Sequence, residues 1–75
     1  MSINYAYKYA EIMDDTGLCI GVMTSSNPNC AGPTNFGTTY IEVPVDDPEY
    51  LLKYYINGSW YEDAEATIPW TSSLL

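Results

Sequence analysis

Two pairs of adjacent carboxylates, Asp14-Asp15 and Asp46-Asp47, are the side chains here whose type and spacing could do acid–base chemistry. Such a pair works only where a pocket separates the two pKa values. Both pairs lie in turn-like sequence, beside Thr16-Gly17 and Pro48, where turn formation and helix capping account for Asp. The chain has no His, so no histidine base and no Ser-His-Asp or Cys-His relay can be assembled. It has no Arg to clamp an anion in two-pronged fashion. Gly32, Gly37 and Gly58 lack the strand and helix that frame a phosphate-binding loop. Cys19 and Cys30 are the only thiols, and two Cys without His cannot fill a tetrahedral zinc site. The acid spacing does not follow the twelve-residue calcium loop. The sequence therefore reads as a non-enzyme with no metal and no cofactor.

The strongest local signal in the chain is Asn57-Gly58, set between Tyr54-Tyr55-Ile56 and Ser59-Trp60-Tyr61. A two-residue type I′ turn needs positive φ at both central positions, which Asn tolerates and Gly accepts freely. Tyr54, Tyr55, Trp60 and Tyr61 then sit on a twisted ribbon as candidate partner-binding anchors, with Trp70 added from the C-terminal segment. Large aromatic side chains dominate the energetics of protein interfaces.

Tyr5, Tyr7 and Tyr9 alternate with Ala6, Lys8 and Ala10, the period of a strand with a tyrosine face. Asp14–Gly17 makes a turn, and Leu18–Thr24 a second apolar strand, with Gly21 marking a bulge or an aromatic ring lying over the backbone. Cys19 belongs to that strand's buried side, and Cys30 to a polar loop. Without a secretory leader at Met1–Tyr5 the two are expected as free thiols, although an oxidising preparation leaves a disulfide open. Residues 25–38, rich in Ser, Asn, Pro and Gly, form a long loop that Phe36 is expected to pin to the body. Thr39–Val45 is a third strand, ended by Pro44. Asp46 or Asp47 caps one helical turn, Pro48 takes its first position, and Leu51 and Leu52 reach the core. The Asn57-Gly58 hairpin supplies strands four and five. The fold class is mainly β: one small domain over residues 1–75, an antiparallel meander of about five strands with one short helical turn. Ile68-Pro69-Trp70 and Leu74-Leu75 either pack back across the sheet or form an extended arm, 66–75, that docks elsewhere.

A net charge of −8, with Lys8 and Lys53 the only bases, argues against nucleic acid and anionic membranes as direct partners. It favours a basic partner, or solubility alone. Glu42, Asp46, Asp47, Glu49, Glu62, Asp63 and Glu65 concentrate the acid in the second half, as a candidate acidic surface. No run approaches the ~18–20 apolar residues of a membrane span. Synthesis in a host cytoplasm is the expected location.

Tyr40–Trp60 resembles small proteins and domain ends from the tail modules of phages and prophages of Gram-positive bacteria. The shared pattern is an "I-x-V/I-P" strand, a "D-x-x-Y-L" turn and "K-Y-Y/V-x-G-x-W" with an acidic sequel. Ile41, Val43, Pro44, Asp47, Tyr50, Leu51, Lys53, Tyr54, Tyr55, Gly58, Trp60, Tyr61 and Glu62 match it. An opening "Y-A-x-I/L-x-x-T/N-G-x-C" is matched by Tyr9, Ala10, Ile12, Thr16, Gly17 and Cys19. The pattern's glycine before the Lys is replaced by Leu52. The resemblance implies a phage accessory or tail-associated piece, with the virion as an alternative location, and no substrate. Within that setting the leading expectation is a protein–protein interaction module, with self-association through a sheet edge as one form. The rival is a small acidic inhibitor of a host defence nuclease, an anti-CRISPR-like mimic of nucleic acid. A carbohydrate-binding tail piece ranks third, because so small a domain leaves little room for a polar-lined pocket.

Overall fold

The computed structural model describes residues 7–75. Strand β1 (Tyr7–Met13) turns at Asp14–Gly17 into β2 (Cys19–Ser25), the hairpin expected from the sequence. Gly17 sits at φ 79°, and its N–H donates to Met13 O at 2.8 Å. Glu11 faces Gly21 and Ile12 faces Cys19, so one residue, Ile20, is extra. The bulge therefore falls at Ile20, beside the glycine that signals it. Tyr5 and the rest of the N-terminal tyrosine run lie outside the described residues.

The strand after the loop, β4 (Thr38–Val43), does not join β2. It pairs antiparallel with the other side of β1, and the two-residue β3 (Gly32–Pro33) pairs with β4 in turn. The sheet order is β2-β1-β4-β3. A central place suits β1, whose Tyr9, Ala10 and Ile12 are buried on both faces of the strand. A second, two-stranded sheet is the hairpin β5 (Tyr54–Ile56) and β6 (Ser59–Tyr61). The chain is thus mainly antiparallel β, with a lone 3₁₀ turn at Pro48–Tyr50.

Register assigns the faces. Ala10 and Ile12, with Ile41, Val22 and Cys19 opposite them, form the inner face. This face packs on Tyr50, with Val43 beside it and Val45, Tyr55, Trp60 and Trp70 around it. The other face carries Tyr7, Tyr9, Glu11, Tyr40 and Glu42. The 26–31 segment covers part of it, and the Tyr9 hydroxyl donates to Asn27 O at 2.9 Å. Burial raises the Tyr9 phenol above its usual pKa.

Two expectations about the core are corrected. Leu51 and Leu52 do not reach it: they are 41% and 72% exposed, and Tyr50 fills that place at 2%. Leu52 lies at φ 69°, which turns its side chain to solvent while its N–H donates to Cys19 O at 3.0 Å. Phe36 does not pin the loop, being 88% exposed. Hydrogen bonds hold that loop instead. Among the described residues no helix is long and apolar enough to cross a membrane.

Candidate functional site

The Asn57-Gly58 turn has φ 52° and 83°, the positive pair that a two-residue hairpin requires. Tyr55 pairs with Trp60, and Tyr54 with Tyr61. Alternation along the strands puts the two pairs on opposite faces. Tyr55 and Trp60 face inward, their ring centroids 5.1 Å apart. Tyr50 lies 4.6 Å from Trp60 and 5.2 Å from Trp70, tilted by 47° and 75°. Such tilted and edge-on contacts pack rings against one another and add roughly 0.5–1.5 kcal/mol per pair beyond burial. They do not provide the flat platform on which a sugar ring would stack.

Of the five anchors the sequence suggests, Tyr55, Trp60 and Trp70 thus serve the interior. Tyr54 and Tyr61 are on the outer face of the hairpin and half-buried. The 66–75 arm folds back on its own domain. Tyr61 bridges to Pro69, Trp70 N–H donates to Trp60 O at 3.0 Å, and Glu62 N–H donates to Ile68 O at 2.8 Å. Lys53 Nζ sits 5.4 Å above the Trp70 ring and 3.8 Å from Glu62.

The acids divide the same way. Asp47 is not a surface group: it is 2% exposed. Its Oδ1 accepts Glu49 N–H at 2.9 Å, capping the 3₁₀ turn, and its Oδ2 accepts the buried Ser72 hydroxyl. One carboxylate thereby ties the turn to the tail. Asp63 is half-buried and bound within its own loop by Thr67 Oγ, Thr67 N–H and Ile68 N–H, which hold its pKa below the usual range. Glu42, Asp46, Glu49, Glu62 and Glu65 remain exposed. Asp14 and Asp15 border an open cavity of about 300 Å³ with Gly17, Tyr55, Ile56 and Asn57. Among the described residues no three His, Cys, Asp or Glu side chains gather as a metal site requires. Both cysteines are free. Cys19 is buried, and burial raises its thiol pKa, so the core holds it as a neutral side chain.

The outward-facing residue that stands apart is Phe36. Thr34 N–H donates to Thr38 O at 2.9 Å, and the two hydroxyls meet at 2.7 Å. Phe36 N–H donates to Thr34 Oγ1 at 3.1 Å, and Gly37 closes the turn at φ 77°. The base is fixed to β1: Thr38 Oγ1 donates to Glu11 Oε2 at 2.9 Å, and Asp14 N–H donates to Gly37 O at 2.9 Å. Thr39 Oγ1 donates to Asp14 Oδ1 at 2.6 Å. A large ring is thus held in water on a braced tip.

The chain matches no family model, no curated protein and no solved structure.

Asn35-Phe36-Gly37 carried a sequence signal for this tip: a lone aromatic beside a turn glycine with no apolar neighbour. The Asp47–Ser72 tie carried none, since 25 residues separate its ends.

Proposed function

We propose that this chain is a non-enzymatic protein–protein interaction module, phage-encoded and either tail-associated or accessory. Phe36 is its principal anchor. The observation that supports this reading is an aromatic side chain 88% exposed on a hydrogen-bonded tip. Exposing the ring to water is unfavourable, and a partner pocket that covers it gains most of a Phe side chain's burial, roughly 1.5–3 kcal/mol. Bracing the loop beforehand reduces the ordering cost of binding. The phage setting rests on the pattern from Tyr40 to Trp60. The same pattern makes a phage structural protein the first partner to seek.

The acidic-inhibitor reading draws on the net charge of −8 and the exposed carboxylates of Glu42, Asp46, Glu49, Glu62 and Glu65. It is weakened because Asp47 and Asp63 are engaged inside the fold. Salt separates the two. Protein captured on the immobilised chain from a phage-infected Gram-positive culture should withstand a high-salt wash if Phe36 anchors it. Release by salt alone would favour the nucleic-acid mimic, whose attraction is screened.

A further inference from the structure

Among the described residues two sheet edges lack a neighbouring strand: Gly21–Ser25 of β2, and Ile41–Val43 of β4 beyond the end of β3, where Glu42 places a charge. The β3 edge is two residues long and ends in Pro33, which has no N–H to offer. The β6 edge is covered by the tail through Tyr61–Pro69, Trp70 and Ile68. The β5 edge meets the β1–β2 turn, where Tyr55 N–H donates to Gly17 O at 2.8 Å. At the start of β2, Cys19 is covered as well, its N–H on Lys53 O and its C=O on Leu52 N–H. From Gly21 to Ser25, no strand lies beside β2 among the described residues.

The groups this edge presents follow from the ladder. Met13 N–H donates to Leu18 O, so Met13 points its backbone groups toward β2. Alternate residues Glu11, Tyr9 and Tyr7 do the same, toward Gly21, Met23 and Ser25. Val22 and Thr24 therefore direct their N–H and C=O outward. No charged residue occurs anywhere from Thr16 to Ile41. Ile20, Leu51 and Leu52, all exposed, flank the Cys19 end of the same edge.

We propose that Gly21–Ser25 is the self-pairing edge of a homodimer, in which β2 of a second copy of this chain lies antiparallel about a two-fold axis at Met23. This rests on the reading of the chain as a protein-binding module, and uses a surface separate from Phe36. The register is self-consistent. The axis sets Val22 opposite Thr24 of the second copy, and both residues have outward backbone groups. Each such pair exchanges two N–H···O bonds, and symmetry supplies the pair twice. Met23 meets its own symmetry mate as the intervening, non-hydrogen-bonded pair. Charge selects the occupant. Two copies at −8 repel wherever their acids approach, and this uncharged edge brings no like charges opposite one another. Its own residues carry no carboxylate, and the nearest one, Glu11 opposite Gly21, is already bonded to Thr38 and Tyr40.

Light scattering on the purified chain tests this, with two variants. Thr24→Pro removes an outward N–H that no internal bond uses. Met23→Glu places two carboxylates face to face on the axis. The wild type should show twice the 8.4 kDa chain mass, at low and high salt alike. Each variant should fall to the single-chain mass with an unchanged circular dichroism spectrum. Amide exchange at Val22 and Thr24 should be slow in the wild type and fast in Met23→Glu. A monomeric wild type with fast exchange at both amides overturns the proposal, as does a dimer that both variants retain. Phe36→Ala should remain dimeric, so loss of the Phe36 reading would leave this one standing, and the reverse.

Discussion

Gly17 and Gly37 share almost the same backbone conformation, φ 79° and 77°, yet their surroundings differ completely. A Cβ at Gly37 meets nothing within 4 Å. A Cβ at Gly17 stands 2.9 Å from Tyr55 O and 3.0 Å from Ile56 Cγ1. The Tyr55 oxygen cannot easily retreat, because Tyr55 N–H is bonded to Gly17 O at 2.8 Å. Gly17→Ala and Gly37→Ala therefore share one cost and differ in another. The shared part is a left-handed backbone at a non-glycine residue, about 1–2 kcal/mol. A stiffer unfolded chain offsets it by about 0.4–1 kcal/mol. Gly37→Ala should lose about 0.5–1 kcal/mol on those terms. Gly17→Ala adds an overpacking term of about 1–3 kcal/mol, for a total of roughly 2–4 kcal/mol. Urea unfolding followed by the fluorescence of Trp60 and Trp70 measures both. At about 4–8 °C per kcal/mol for a domain of this size, the melting temperatures should differ by roughly 10 °C. Equal losses for the two variants would refute the seating of the β5–β6 hairpin on the Asp14–Gly17 turn.

Leu52→Gly should stabilise the chain by about 0.5–1 kcal/mol, because the relief of a left-handed Leu exceeds the added chain entropy. A shift in urea midpoint checks it. Asp47→Ala should cost roughly 2–4 kcal/mol, through a lost cap and an unpartnered, buried Ser72 hydroxyl. Ser72→Ala should cost less, since the cap to Glu49 remains, and the ranking in a melting series decides the point. Under a thiol reagent, half-buried Cys30 should react in the native state, and buried Cys19 only at the rate of unfolding. Mass spectrometry of labelled peptides reads this directly.

The local features of the fold were legible because short-range chemistry sets them. Asn57-Gly58 demanded positive φ at two adjacent positions, and Pro48 after Asp47 marked a capped turn. The burial of Cys19 followed from its apolar strand. The pairing of β4 with β1 was not legible, because nothing local in Thr38–Val43 distinguishes β1 from β2 as a neighbour. The aromatic residues were legible as strand formers but not by destination. Tyr55 and Trp60 turn inward only because Tyr50 and Trp70, distant in sequence, meet them there. Asp47 looked like a surface acid because Ser72, its buried partner, is remote. Leu52 marks a different limit. Its backbone lies at φ 69°, a conformation that favours glycine, and nothing in the Leu side chain announces it. Phe36 was misplaced because one apolar residue in a polar loop ordinarily points inward. Here Thr34, Thr38, Glu11 and Asp14 already satisfy the loop, and the ring is left outside.

The most direct measurement sets wild-type and Phe36→Ala baits side by side in capture from a phage-infected Gram-positive culture, after melting curves show equal stability. The expected result is a defined protein held by the wild type through a high-salt wash and lost from Phe36→Ala. Equal retention by both baits, or release of the protein by salt alone, would contradict an interaction module anchored by Phe36.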